Sequence, residues 1–459
     1  MVRNPGIVAG IILALVVGSS TRALAGGGRF VPLGSSAGET RRAENVTRDA
    51  AGNPLVGGSE TVPKGGLREA AMYLIAPSNA VSKQTLTVAA GTRPRRTALY
   101  VPRGANIAVG RATDNTGSQS QALLWEDTAG DATPLTPLDK LGNSDSEGGK
   151  YYEDEKEGPG AHIIAVGVSY ASDFSVFLPT IWTSDNGFVP QQLDLLPGGP
   201  MNGAARAIVR NDGMTIIAGT AVGPAGSSEA VIWNGMQVQA VLPRGSLLAA
   251  NAAAISRDTR FVAGLGISAA FNSVPALWSD EDGDGLYELH TPALPAGLLR
   301  GAFNAVRDLP NARGDGPAAI AVGCSLGPTF EALIFDPDSG VRLLEDVLAN
   351  DFGLDLQGFT LEDATDLSVG GGVLRVCGNG VSAAGQPDGW YAEVALDAAP
   401  CPGDLDGDSQ VGLTDLAIML SNFGIPSGAT PEQGDLDGDG DVDLSDLATM
   451  LSLFGTSCA

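Results

Sequence analysis

A two-part phrase recurs along most of this 459-residue chain, and a phrase that recurs so often leaves few folds open. Its first part is a small apolar run ending in glycine, at Gly110, Gly167, Gly219, Gly264, Gly323 and Gly378. Its second part is an apolar pair ending in an aromatic, at Trp125, Trp182, Trp233, Trp278, Phe335 and Trp390, 12 to 15 residues further on. All five tryptophans of the protein fall in this one slot. A worn earlier copy starts at Val56-Gly57 and continues through Glu69-Ala70-Ala71-Met72-Tyr73, a separation of 16. The seven copies then stand 45 to 59 residues apart.

A period near 50, built from short apolar runs with Gly and Asp between them, predicts β-propeller blades of about four strands each. Segments such as Ala207-Ile208-Val209-Arg210-Asn211-Asp212-Gly213 and Ala254-Ile255-Ser256-Arg257-Asp258 read as strands entering tight turns. One blade buries little alone, so the ring must close by packing each blade on the next, with the aromatic filling the gap between them. The fold expected is mainly β, a seven-bladed propeller; six blades or an array of two-sheet sandwiches are the alternatives. Residues 142–160, GNSDSEGGKYYEDEKEGPG, break the pattern and read as a surface loop or a flexible tip. Over residues 50–396 the phrase resembles the HAF-type repeats of exported bacterial proteins.

The tail carries a second repetition. Residues 403–424 read GDLDGDSQVGLTDLAIMLSNFG and residues 434–455 read GDLDGDGDVDLSDLATMLSLFG, an offset of 31. Asp404, Asp406, Asp408 and Asp415 occupy positions 1, 3, 5 and 12 of a 12-residue loop; Asp435, Asp437, Asp439 and Asp446 repeat them. Alternate carboxylates on a tight loop converge on one point, as a hard cation with six to eight oxygen ligands requires. Gln410 and Asp441, at position 7, would contribute backbone carbonyls, and Gly412 or Asp443, at position 9, would act through a water. From Cys401 to the end there are eleven acidic residues and no Lys, Arg or His, so only a bound cation can neutralise these loops.

After each loop, Leu413, Leu416, Ala417, Leu420 and Phe423 recur as Leu444, Leu447, Ala448, Leu451 and Phe454, one helical face per repeat. Gly424 and Gly455 end the helices, and the two faces are expected to bury each other. Loop followed by helix, with Asp at position 12 and no helix before the loop, resembles the type I dockerin module. That resemblance implies a small all-α domain over residues 397–459, two calcium ions, and docking to a cohesin-like partner. Ser409 at position 6 and the lack of basic residues on the helices depart from the dockerin pattern, and the departures bear on docking more than on calcium.

Arg3, the apolar run Ile7 to Val17, and Ala23-Leu24-Ala25 read as a secretory signal over residues 1–25, leaving residues 26–396 as the repeat body. The run is too short to span a bilayer and no later stretch is longer, so an exported protein without a membrane span is expected, extracellular or attached to the cell envelope. A net charge of -26 argues against nucleic acid or anionic lipid as a partner. Four cysteines in an exported chain favour bridges. Cys401 and Cys458 flank the tail repeats, where a bridge would contribute about 4 kcal/mol. Cys324 and Cys377 flank equivalent glycines of neighbouring repeats, expected to be bridged across the blades or else to stand as two buried thiols.

Catalytic signatures are missing. His162 and His290 are the only histidines, neither with a nucleophile or zinc pattern beside it, and no GxSxG or HExxH occurs. Asp280, Asp282 and Asp284, in DEDGDG, have a calcium-loop cadence but only Glu288 to close them, which leaves a third cation loop or a plain acidic turn. The reading is a non-enzymatic calcium-binding scaffold or binding protein. The alternative, implied by the dockerin resemblance, is a glycoside hydrolase or carbohydrate-binding subunit that acts on polysaccharide, for which two carboxylates at the right separation would suffice.

Overall fold

In the computed structural model the described residues are 28–396 and 403–455, except 37, 50–51, 62–67, 89–107, 114–119, 127–129, 139–140, 152–162, 212, 310–317, 338, 371, 404, 406–410, 430–432 and 437–439. The signal segment, His162, Cys401 and Cys458 lie outside them. The chain divides into two compact units, one of blades and one of residues 395–459 with 309–318 and 370–373.

The first unit is a seven-bladed β-propeller of antiparallel sheets. Blade 1 is Thr40–Arg48, Pro54–Thr61, Arg68–Ile75 and Val81–Thr85, paired in that order. Blade 2 has three described strands, Ala108–Thr113, Ser120–Trp125 and Thr133–Leu135. Blades 3, 4, 5 and 6 begin at Asn143–Tyr151, Gly203–Asn211, Ala249–Ile255 and Gly301–Leu309, each followed by three more strands. Blade 7 takes Thr360–Gly370, Val373–Val381 and Pro387–Ala395 from the end of the body and its outer strand, Arg29–Pro32, from the beginning.

That last pairing closes the ring. Phe30 lies opposite Ala392 and Pro32 opposite Trp390. Arg29 Nε reaches Glu393 Oε1 at 2.7 Å, and Asp388 accepts from Gly34 N at 2.9 Å and Ser35 Oγ at 2.6 Å. Farther in, Arg307 Nη2 meets Asp366 Oδ1 at 3.0 Å while Asp366 Oδ2 accepts from Val46 N at 3.1 Å, so one buried carboxylate ties blades 6, 7 and 1.

The recurring phrase now has a cause. The second strand's glycine lies where the first strand bulges, between Ala205 and Ala207 in blade 4 and between Ala252 and Ala254 in blade 5. A Cβ on Gly219, Gly264, Gly323 or Gly378 would stand 1.9–2.1 Å from a first-strand carbonyl oxygen. Only hydrogen fits there. In blade 1 the residue in this position is Gly58, not Gly57, because Gly58 pairs with Ala43 at the bulge; the separation to Tyr73 is therefore 15, in line with the other blades.

In blades 1 to 6 the aromatic sits on the third strand, opposite the residue two before the glycine, and points at the preceding blade: Trp233 packs with Ile164, Val166 and Ile181 of blade 3. In blade 7 Trp390 instead lies against Gly378 itself, and its Nε1 donates to Asn379 O of its own sheet at 3.0 Å. Each tryptophan is fully buried. Four indole N–H groups donate to carbonyls of the connection from the blade before: Trp125 to Thr87 at 2.6 Å, Trp182 to Thr136 at 2.8 Å, Trp233 to Asp194 and Trp278 to Pro243, both at 2.7 Å. The ring thus gains apolar burial and a satisfied polar tip from one side chain.

Two sequence expectations fail here. Residues 143–151 are not loop but the first strand of blade 3, opposite Ile163–Tyr170. Asn143 and Ser144 are buried because they accept from blade 2, Ser120 N to Asn143 Oδ1 at 2.7 Å and Ala122 N to Ser144 Oγ at 3.0 Å, so tertiary bonds override a loop-like composition. Cys324 and Cys377 are both free thiols. They lie on either side of equivalent glycines, two positions apart in register, and therefore face the same way on their own sheets. Cys377 packs with Val46 and Tyr73 of blade 1, whereas Cys324 lies near Asp363 of blade 7, so each faces its next neighbour and not the other.

Gly219→Ala is expected to destabilise the protein by about 3 kcal/mol in chemical denaturation. Gly226→Ala, at φ +78° with open space around it, should cost only about 1 kcal/mol. A second test addresses the seam. Burial raises the Glu393 carboxyl, but Tyr391 Oη and the Arg29 and Arg375 guanidiniums outweigh it, leaving the group below its ordinary value of 4.5. A depressed carboxylate stabilises the fold above its unfolded pKa and loses that contribution as the pH falls through the folded one. Glu393→Gln should therefore cost about 1 kcal/mol at neutral pH and flatten the stability loss measured below pH 4.5.

Candidate metal centre

The second unit contains two ten-residue helices, Leu413–Asn422 and Leu444–Leu453, each leaving an acidic loop. The closing aspartate of each loop is the third residue of its helix and is almost fully withdrawn from water, Asp415 at 1 % and Asp446 at 0 % exposure. Asp415 Oδ1 accepts from Leu405 N at 2.6 Å and Oδ2 from Gly412 N at 2.7 Å. Asp446 does the same with Leu436 N at 2.7 Å and Asp443 N at 2.8 Å. Each carboxylate thus caps its helix and clamps the start of its loop against the end, beside the positive pole of the helix dipole.

Two-fold repetition extends to the core. Val411, Met419, Val442 and Met450 are buried together, with Leu416, Leu447 and Ile425 packed around them. Gly424 N, at the end of the first helix, donates to Val442 O of the second loop at 2.8 Å, and Gly455 N returns the bond to Val411 O at 2.8 Å. Both glycines are left-handed, at φ +91° and +82°.

Of the helical face expected to be buried, only Leu416 and Leu447 pack against the core. Leu413 is 77 % and Leu444 72 % exposed, and Leu420, Phe423, Leu451 and Phe454 are exposed as well. The interior belongs to the adjacent face, because burying Asp415 and Asp446 fixes the rotation of each helix and brings Met419 and Met450, one turn further on, inward with them.

Of the sequence-predicted ligands, Asp415, Asp435, Asp441 and Asp446 are described; Asp404, Asp406, Asp408, Gln410, Asp437 and Asp439 lie outside the described residues. Asp435 is buried, its Oδ2 accepting from Gly440 N at 3.0 Å. Carboxylate oxygens of Asp441, Asp443 and Asp446 lie within 4.8 Å of one another. The side chain of Asp441 thus joins the cluster, where the sequence suggested only its backbone carbonyl. An all-oxygen donor set of this kind fits a hard divalent cation and not zinc or copper. In the propeller, Asp280, Asp282 and Asp284 also converge to within 4.8 Å.

One contact escaped the sequence. Ser279 Oγ stands 2.9 Å from His290 Nε2, on paired strands of blade 5. Ser279 is buried and also faces Glu281 Oε1 at 3.4 Å, so its hydroxyl is enclosed and not presented to a substrate.

No protein-family model matches the chain, and no curated protein does. Among solved structures it is similar to the β-propeller domain of the Trilobed protease from Pyrococcus furiosus, at 7 % identity and TM-score 0.44, over 80 % of this chain and 98 % of that one. It is similar also to an α-L-arabinanase from Penicillium chrysogenum, at 10 % identity and TM-score 0.40 over 80 % and 98 %. An α-L-arabinofuranosidase from Fusarium graminearum matches at 11 % and 0.38 over 82 % and 98 %. Likeness at this level carries no activity across.

Replacing Asp446 by Ala strands the Leu436 and Asp443 N–H groups and should destabilise the tail by about 2 kcal/mol, read as faster amide exchange across residues 434–455 with the blades unchanged.

Proposed function

We propose that this protein is an exported calcium-binding scaffold or binding protein, in which the propeller presents a ligand-binding surface and a dockerin-like tail, holding two calcium ions, attaches it to a partner protein or the cell envelope. The observation that carries the reading is the twinned burial of Asp415 and Asp446 at the closing positions of two loops with the same backbone clamps. Calcium suits those loops because it accepts six to eight oxygens in irregular geometry, and because no basic side chain after Cys401 competes for them. Attachment is supported by the exposed stripes, Leu413, Leu420 and Phe423 on one helix and Leu444, Leu451 and Phe454 on the other, duplicated like the loops. Export rests on the leader-like residues 1–25, and no described helix is long and apolar enough to cross a membrane.

Calorimetric titration of the full chain should show two fewer calcium ions in the double variant Asp415→Asn/Asp446→Asn than in the wild type; equal stoichiometry would remove calcium from the tail. Capture by immobilised cohesin-like proteins in calcium, lost in chelator and lost in Leu413→Lys/Leu444→Lys, is the expected outcome for attachment. Capture that ignores calcium would leave the tail as a cap on the fold.

A further inference from the structure

The turn between the third and outer strands of blade 5 runs from Asp280 to Tyr287, on a different element from the tail loops. Asp280, Asp282 and Asp284 stand at alternate positions, Gly285 follows as the sixth residue and the Leu286 carbonyl as the seventh, the order in which a cation loop places its ligands. Gly283 and Gly285, at φ +73° and +83°, let the backbone turn tightly enough to bring the three carboxylates together. Backbone N–H groups fix each of them: Gly285 N to Asp280 Oδ2 at 3.1 Å, Asp284 N to Asp282 Oδ1 at 3.3 Å, and Leu286 N to Asp284 Oδ1 at 2.7 Å.

Convergent acids alone would be an ordinary surface turn. What sets this one apart is Asp280, which is 8 % exposed and whose Oδ1 is sealed from solvent with no hydrogen-bond donor. Among the described residues none of the three aspartates makes an ion pair. Arg260 stands nearest, but its Nη1 donates to the Glu281 carbonyl at 2.7 Å. A carboxylate oxygen buried without a partner, on a side chain whose carboxylate lies within 4.8 Å of two others, is a donor arrangement lacking its acceptor.

We infer that the Asp280–Leu286 turn of blade 5 is a divalent-cation site, independent of the tail, taking calcium through Asp280, Asp282, Asp284 and the Leu286 carbonyl. The ion satisfies Asp280 Oδ1, relieves the repulsion among the three acids, and fixes the outer strand Glu288–His290 to its sheet.

The site can be read separately from the tail. After Cys401 the chain has no Trp or Tyr of its own, whereas Trp278 and Tyr287 flank this turn, so terbium(III) bound here is excited through these two side chains. Titration of the full chain with terbium should give sensitised emission that calcium displaces. Asp280→Asn, which keeps the acceptor for Gly285 N, should abolish it, and the exposed Asp284→Asn should weaken binding about tenfold. Asp446→Asn should leave it unchanged whether or not the tail binds calcium. Absence of sensitised emission from the folded wild type, or emission of equal strength and affinity in both turn variants, overturns the assignment.

Discussion

The propeller depends on a seam. Each sheet can bury both faces only if it has a neighbour on either side, and the first and last blades become neighbours only when Arg29–Pro32 joins Pro387–Ala395. Four residues supply that strand, so side chains reinforce the backbone pairing: the Arg29–Glu393 ion pair at one end, Asp388 accepting from Gly34 and Ser35 at the other, and Phe30 against Trp390 and Phe359 within. The partners are 364 residues apart in the chain, so the closing contact carries a large loop-closure entropy that the local hairpins do not.

Between the other blades the same junction is repeated with local contacts. A glycine admits the bulge of the first strand, and in blades 2 to 5 an indole two pairs away in register spans to the blade before, its N–H satisfied by that blade's exit. The two residue types are therefore constrained by backbone approach and by burial respectively, which is why they stand out in the sequence while the strands around them vary.

Legibility followed that division. Blade number and the role of the aromatic were readable because the glycine position admits no side chain and the third strand of each repeat carries a large aromatic. The closing strand RFVP was not, since nothing in four residues announces a partner at the far end of the chain. Nor was Asn143–Tyr151, whose buried polar side chains are held by donors on blade 2 that composition does not reveal. In the tail the aspartate spacing was plain, but the leucine stripe overstated the interior, of which only Leu416 and Leu447 form part: apolar periodicity marks a face without saying whether the same chain covers it. The burial of Asp280 depends on the strands around it and left no mark in DEDGDG.

The crossed bonds of the tail bear on how its halves communicate. Val411 stands at the exit of the first loop, just before the helix that begins at Leu413, yet its carbonyl holds the end of the second helix, and Val442 holds the end of the first. Whatever stiffens one loop therefore steadies the last turn of the opposite helix, and that helix anchors the opposite loop through its own buried aspartate. Order gained on one side would lower the entropy still to be lost on the other, so the crossed bonds couple the ordering of the two halves.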